Sequence, residues 1–247
     1  PEPRSLNGTL RTDALSHLRR TGHRVLESDL YAMAWDPVLR AGDGAPCPED
    51  PGARFRVSED TRRAHIEGTQ PPDVVAEQDK IRQADAIVLQ FPLWWYGMPA
   101  VLKGWLDRVF VSGFAFGTDL ADGRRLRFEQ GPFTGKRALV VTTLGDRPQA
   151  IGPRGKSGEL TEMLFGLLHG TLAYTGFSVL PPWALPSADR IDEACRPSGD
   201  LLRRLDGLFT DPPLPYRPQF TGQYTEDWAL AEHIVPGQAG LGVHLDR

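Results

Sequence analysis

The sequence predicts an α/β fold: an open parallel sheet with helices on both faces, and three observations predict it. The runs "AIVLQFP" and "KRALVVTTLG" are short and continuously apolar, the pattern of strands buried on both sides. Between such runs lie segments whose apolar residues recur at spacings of three and four, the period of an amphipathic helix. Gly and Pro mark the junctions, and no repeat or low-complexity tract interrupts the alternation. The 247 residues suit one main domain over residues 1–210 with an extension over residues 211–247.

The elements follow in order. Leu6, Leu10, Leu15 and Leu18 give one apolar face, and Gly22 stands where a helix C-terminus leaves its left-handed residue, so a first helix ends near Thr21. "HRVLESDLY" reads as a short strand, "VVAEQDKIRQAD" as a helix and "AIVLQFP" as a buried strand. After Pro99, residues Val101, Leu102, Trp105, Leu106, Val109 and Phe110 predict a second amphipathic helix. "KRALVVTTLG" is the next strand, "GELTEMLFGLLHGTLAYTG" the next helix, "FSVLPPW" a further strand, and Ala188 to Phe209 a last helix around Pro197. Gly42 to Gly52 and Pro212 to Pro218 read as loops. The chain opens on a loop and a helix, and the pattern predicts a strand of about ten residues ahead of Pro1.

Composition narrows the function. Lys plus Arg number 28 against 32 Asp plus Glu, a net charge of −4, so no global positive field recruits nucleic acid or an anionic membrane. No apolar run approaches the ~20 residues of a membrane span, and no membrane insertion is expected. Cys47 and Cys195 are far apart and lack metal-ligand spacing, which fits a reducing cytoplasm. The six histidines show no metal-site spacing either. The expected partner is a small molecule.

Open parallel sheets bind ligands outside the carboxyl ends of their strands. Three loops converge there. Ser5 and Asn7 open the first helix, where unpaired N–H groups and the macrodipole favour an anion, although a serine there also serves as a plain cap. Pro92 and Leu93 lead into Trp94, Trp95, Tyr96 and Gly97, more consecutive rings than a loop can bury. Thr142, Thr143 and Gly145 offer hydroxyls and N–H groups at a strand end, though paired threonines are also ordinary strand composition. A ligand with a phosphate at one end and a planar heteroaromatic at the other uses all three, and a flavin nucleotide has that shape. Neither a GxGxxG turn nor a P-loop is present.

The motifs "PEPRSLNG", "QFPLWWYGMPAVLKGWLDRVF", "GFAFG", "GKRALVVTTLG" and "LAYTGFSVLPP" resemble, in order, those of the NAD(P)H:quinone oxidoreductases of the DT-diaphorase type, in the flavodoxin-like superfamily. The resemblance implies a flavodoxin-like fold and FAD as cofactor, with FMN as the alternative. It also implies NAD(P)H as hydride donor and two-electron, ping-pong reduction of a quinone. Carried over residue by residue, Ser5, Leu6 and Asn7 hold the flavin phosphates, Pro92, Leu93, Trp95 and Tyr96 line the isoalloxazine, and Thr142, Thr143 and Gly145 bond its edge. Trp95 and Tyr96 also floor the substrate slot, and N–H groups near Gly145 stabilise growing charge, so Trp95, Tyr96 and Gly145 are the catalytic candidates. The family is a homodimer, which places Phe116 and Thr118 over the partner's flavin as substrate contacts.

Departures from the family pattern are equally specific. The histidine that ends the family's first strand is not in this sequence. Leu144 replaces one glycine of a Thr-Thr-Gly-Gly turn, "DRPQAIGPRGKSG" replaces the loop that carries an active-site tyrosine, and Ser157 falls near the position of the family's histidine. A Tyr-His proton relay is therefore not expected. Phe116 and Thr118 stand where that enzyme has tyrosines. Two other classes compete with the reductase reading: an ancillary subunit of a potassium-efflux channel, and a flavodoxin-like electron carrier. The aromatic, Pro-rich tail is expected to pack on the domain or across the dimer.

Overall fold

The computed structural model describes residues 2, 4–47, 49–50, 52–117, 126–191 and 198–246. Helices α1 (Leu6–Arg20), α2 (Val57–Glu67) and α3 (Pro72–Gln83) precede strand β1 (Ala86–Pro92), and α4 (Ala100–Val109) precedes β2 (Arg137–Thr143). Then come α5 (Leu160–Met163), α6 (Phe165–Leu167), a π-helical turn (Leu168–Ala173), β3 (Ser178–Val179), β4 (Trp183–Leu185) and α7 (Ser198–Asp206).

The sheet is parallel throughout its described strands. β1 pairs with β2 from Ala86 opposite Arg137 to Pro92 opposite Thr143, so both strands end at the same edge. β3 and β4 both pair with β2, on Arg137–Ala138 and on Val141–Thr143. The expected strand "FSVLPPW" is thus split in two around Pro181 and Pro182, which have no N–H to give the ladder.

β2 explains the two-sided burial. Its side chains alternate, so Ala138 and Val140 enter one apolar cluster with Leu102, Trp105, Leu106, Leu168 and Leu172. Leu139 and Val141 enter the other with Leu10 of α1, Leu180, and Leu201 and Leu205 of α7. A period of two, buried on both faces, reads in the sequence as one unbroken apolar run.

Several expectations need correction. His23–Tyr31 forms no strand: residues 23–29 lack regular structure and residues 30–34 turn. A strand needs a paired ladder; this segment is instead held by side chains, Lys80 Nζ donating to Glu27 O at 2.8 Å and Ser28 Oγ donating to Glu77 Oε2 at 2.6 Å. The helix expected across "GELTEMLFGLLHGTLAYTG" breaks into α5, α6 and the π-helical turn, where the Thr171 hydroxyl donates to Gly166 O at 3.1 Å. The helix expected over Ala188–Phe209 is a 3₁₀ turn at Ala188–Arg190 followed by α7, and its Pro197 lies outside the described residues.

The extension runs over the surface of the domain with little regular structure. The Glu129 carboxylate accepts the N–H groups of Gln219 (3.1 Å) and Phe220 (2.8 Å), and Arg127 stacks over Trp228 at 3.9 Å. Arg217 donates to Val243 O and to Asp246, closing the tail on itself. Among the described residues, no helix is long and apolar enough to cross a membrane.

Candidate functional site

The carboxyl ends of β1, β2 and β4 and the start of α1 line an open cavity of about 310 Å³. That volume sits at the lower end of the ~300–1,000 Å³ usual for small-molecule sites. Its walls are Ser5, Leu6, Asn7, Pro92, Leu93, Trp94, Thr143, Leu144, Gly145, Ala188 and Asp189.

Each wall has a local cause. Ser5 has extended dihedrals (φ −67°, ψ 163°), and its hydroxyl accepts the Gly8 N–H at 3.2 Å, so the serine does cap α1. Capping and anion binding are compatible, because one side chain satisfies one of four free N–H groups and the positive end of the dipole stays at the cavity. Asn7 ties α1 to the sheet: its Nδ2 donates to Thr143 Oγ1 at 2.8 Å, and its carbonyl accepts from Gln90 Nε2 at 2.8 Å.

Asn7 Oδ1 is buried and has no hydrogen-bond partner. Reversing the amide exchanges the two atoms and still leaves one of them unsatisfied. A buried polar atom without a partner costs about 1–3 kcal/mol, and the residue that carries it lines the cavity. The donor set therefore fits a flavin nucleotide: a helix start for a phosphate, an orphaned amide atom for a polar edge, and apolar walls at Pro92, Leu93 and Leu144 for a ring.

The aromatic turn stands beside this cavity. Trp94 and Gly97 bond each other in both directions at 3.0 Å, closing a two-residue turn whose central residues are Trp95 (φ 52°) and Tyr96 (φ 56°). Positive φ at both centres is the primed hairpin geometry that normally selects Asn-Gly. Trp95 is 100% exposed and Tyr96 48% exposed.

The structure thus brings Ser5, Leu6, Asn7, Pro92, Leu93, Thr143 and Gly145 to one cavity. Trp95 and Tyr96 lie outside its wall, at the turn. Thr142 is fully buried, its hydroxyl donates to Phe91 O at 2.9 Å, and it is paired with Phe91 and Ala184 inside the sheet, so it does not reach the cavity wall. Phe116 packs against the core and tilts onto Tyr174 at 6.3 Å. Thr118 lies outside the described residues.

Trp94 and Leu144 stood out in the sequence without being assigned to the site, and Ala188 and Asp189 were not singled out at all. Ala188 and Asp189 follow β4, a fourth loop at the same sheet edge, and that topology is the signal that locates them. Asp146 and Ser157 also lie here: Ser157 Oγ donates to Asp146 Oδ2 at 2.6 Å, and the Tyr96 hydroxyl lies 3.2 Å from Asp146 Oδ2 and 3.1 Å from Ser157 Oγ. Among the described residues, no group of His, Cys, Asp and Glu could hold a metal ion.

Residues 1–198 match the family model described as flavodoxin-like fold. The chain is 39% identical over 250 residues to a ribosyldihydronicotinamide dehydrogenase-like protein of Penicillium crustosum, covering 99% of this chain and 92% of that one. It is 34% identical over 256 residues to NAD(P)H dehydrogenase (quinone) 1 of Cavia porcellus, covering 100% and 90%. A solved structure from Klebsiella pneumoniae, assigned as a quinone reductase, superposes with a TM-score of 0.92 at 42% identity, covering 99% of this chain and 96% of that one.

Proposed function

This chain belongs to the NAD(P)H:quinone oxidoreductase family of the flavodoxin-like fold, and we propose on that premise that it is a flavin-dependent reductase passing two electrons from NAD(P)H to a quinone. The observation that carries the flavin assignment is the unsatisfied Asn7 Oδ1 in the wall of a cavity bounded by a helix start and apolar side chains. FAD is the proposed cofactor.

A flavin held there would supply the two-electron redox chemistry between NAD(P)H and a quinone. The chain supplies binding, orientation and electrostatics. The N–H groups of Leu6 and Asn7, at the positive end of α1, receive phosphate. Pro92, Leu93 and Leu144 exclude water from the ring's surroundings. Asn7 and the backbone at Thr143 and Gly145 would meet a polar edge, and fixed donors near Gly145 would stabilise negative charge without reorganising. Trp95 and Tyr96 floor the substrate slot beside the cavity.

The enzyme is proposed to work as a homodimer in the cytoplasm, with Phe116 of each subunit facing the partner's slot. The test is FAD binding to the full chain, read by quenching of flavin fluorescence, together with turnover of NADPH and a benzoquinone. Asn7→Leu, which removes Oδ1 together with the Nδ2 bond to Thr143, is expected to weaken FAD binding at least about tenfold, with the thermal midpoint reading the lost tie separately. FAD binding equal to that of the unsubstituted chain would remove Asn7 Oδ1 from the site.

A further inference from the structure

The aromatic turn is held in a conformation its own residues disfavour. Bulky side chains at positive φ cost on the order of 1–3 kcal/mol each and persist only where surrounding structure imposes them, and here two occur in succession. The turn's own bonds, Trp94 with Gly97 and Leu93 N–H to Thr143 O at 2.8 Å, do not touch the Tyr96 side chain. The contacts that do reach it come from the loop after β2.

That loop is a firm platform. The Asp146 carbonyl accepts the Ser187 N–H at 2.7 Å, which ties it to the loop after β4. Ser157 N–H donates to Ala150 O at 3.0 Å, and a Cβ on Gly155 would fall 2.1 Å from that same carbonyl, so the chain closes there as only glycine allows. On the platform, Ser157 Oγ spends its proton on Asp146 Oδ2, and the Tyr96 hydroxyl spans both acceptors.

We propose that Asp146 and Ser157 are positioning residues that clip Tyr96 to the loop after β2, and so hold Trp95 and Tyr96 in the left-handed conformation that presents their rings to the ligand. The proposal rests on the reading of this turn as the floor of the flavin and substrate slot. It gives the Tyr96 hydroxyl a role that a phenylalanine ring lacks. It also explains why Ser157, which has no catalytic reach of its own, stands in the loop.

The test uses the full chain with Tyr96→Phe, Asp146→Asn, Ser157→Ala and the Tyr96→Phe/Asp146→Asn double variant, each checked for unchanged thermal midpoint. Amide exchange of Trp94 and Gly97, measured without flavin, reads the turn directly. Loss of a bond to a carboxylate is expected to speed exchange there about tenfold. The double variant is expected to match Tyr96→Phe, because that change already removes the bond to Asp146 along with the one to Ser157. FAD affinity is then expected to fall in the same order while leaving exchange in β1 and β2 unchanged.

Unchanged exchange at residues 94 and 97 would overturn the clip. Faster exchange with full FAD affinity and an unchanged KM for the quinone would overturn its link to the ligand. A chain that binds no FAD at all would instead defeat the flavin reading, an outcome seen before any variant is made.

Discussion

His169 makes acid the sharpest probe of how the extension is held. Its ring stacks on Phe165 at 4.6 Å, meets Tyr216 edge-on at 4.8 Å, and lies 5.3 Å from His244 and 5.4 Å from Phe128. It is 8% exposed, and its Nε2 has no hydrogen-bond partner. Burial, then the neighbouring His244, holds its pKa down from 6.5 to about 4. His244 is also lowered, by burial first and then by Arg217, and its Nδ1 lies 3.4 Å from the Tyr224 hydroxyl. The Tyr216 phenol is pushed up by burial and then by Glu159, so it stays neutral beside them.

The sign follows from proton counting. Between pH 6.5 and about 4 the unfolded chain binds a proton at this position that the folded chain refuses, so stability falls as pH falls. At about 1.4 kcal/mol per pH unit, the loss reaches roughly 3 kcal/mol by pH 4 and is absent above pH 6.5. Urea unfolding of the wild type and of His169→Phe across this range measures it. The stability difference between the two chains is expected to change by roughly 3 kcal/mol in favour of the variant. A difference that stays constant with pH would refute the reasoning. Two of the ring's neighbours, Tyr216 and His244, belong to the extension, so proteolysis near pH 5 is expected to clip the tail before the domain.

Three further predictions concern the domain and the turn. Arg108 and Asp43 are each 7% exposed in side chain and paired at 2.8 Å, while Arg108 also bonds Asp73 at 2.8 Å and lies over Trp35 at 4.7 Å; Arg108→Ala strands the Asp43 charge and is expected to cost roughly 3–5 kcal/mol in urea unfolding. Gly104→Ala puts a Cβ 2.1 Å from Pro37 O, so α4 must move off the preceding loop, and the thermal midpoint is expected to drop by several degrees. Trp95→Ala, at a fully exposed position, is expected to leave stability within about 0.5 kcal/mol while reducing flavin quenching and turnover; retained quenching and turnover would take Trp95 out of the site.

What was legible in the sequence is what local periodicity writes. The unbroken apolar run of β2 encodes burial on both faces, and the three- and four-residue spacing after Pro99 encodes α4, whose Leu102, Trp105, Leu106 and Val109 are buried. α2 escaped because "VSEDTRRAHIE" is mostly polar and even its Ile66 is exposed; only Gly68, in the left-handed conformation, marks its end. The strand expected at His23–Tyr31 has the right composition, but pairing is a property of neighbours that composition does not record. At the site, the helix start and the strand-end loops were legible because topology sends them to one edge. The Tyr96 bonds to Asp146 and Ser157 bridge 50 and 61 residues, and the positive φ of Trp95 and Tyr96 runs against local preference, so neither is written in the sequence of the turn.

The central claim is that this cavity holds a flavin that takes electrons from NAD(P)H and gives them to a quinone. The direct test is the visible spectrum of the FAD-loaded chain, without oxygen, as NADPH and then a benzoquinone are added in stoichiometric steps. The account predicts bleaching of the flavin by NADPH and full recovery of its absorbance with the quinone. A bound flavin that NADPH leaves oxidised would contradict it.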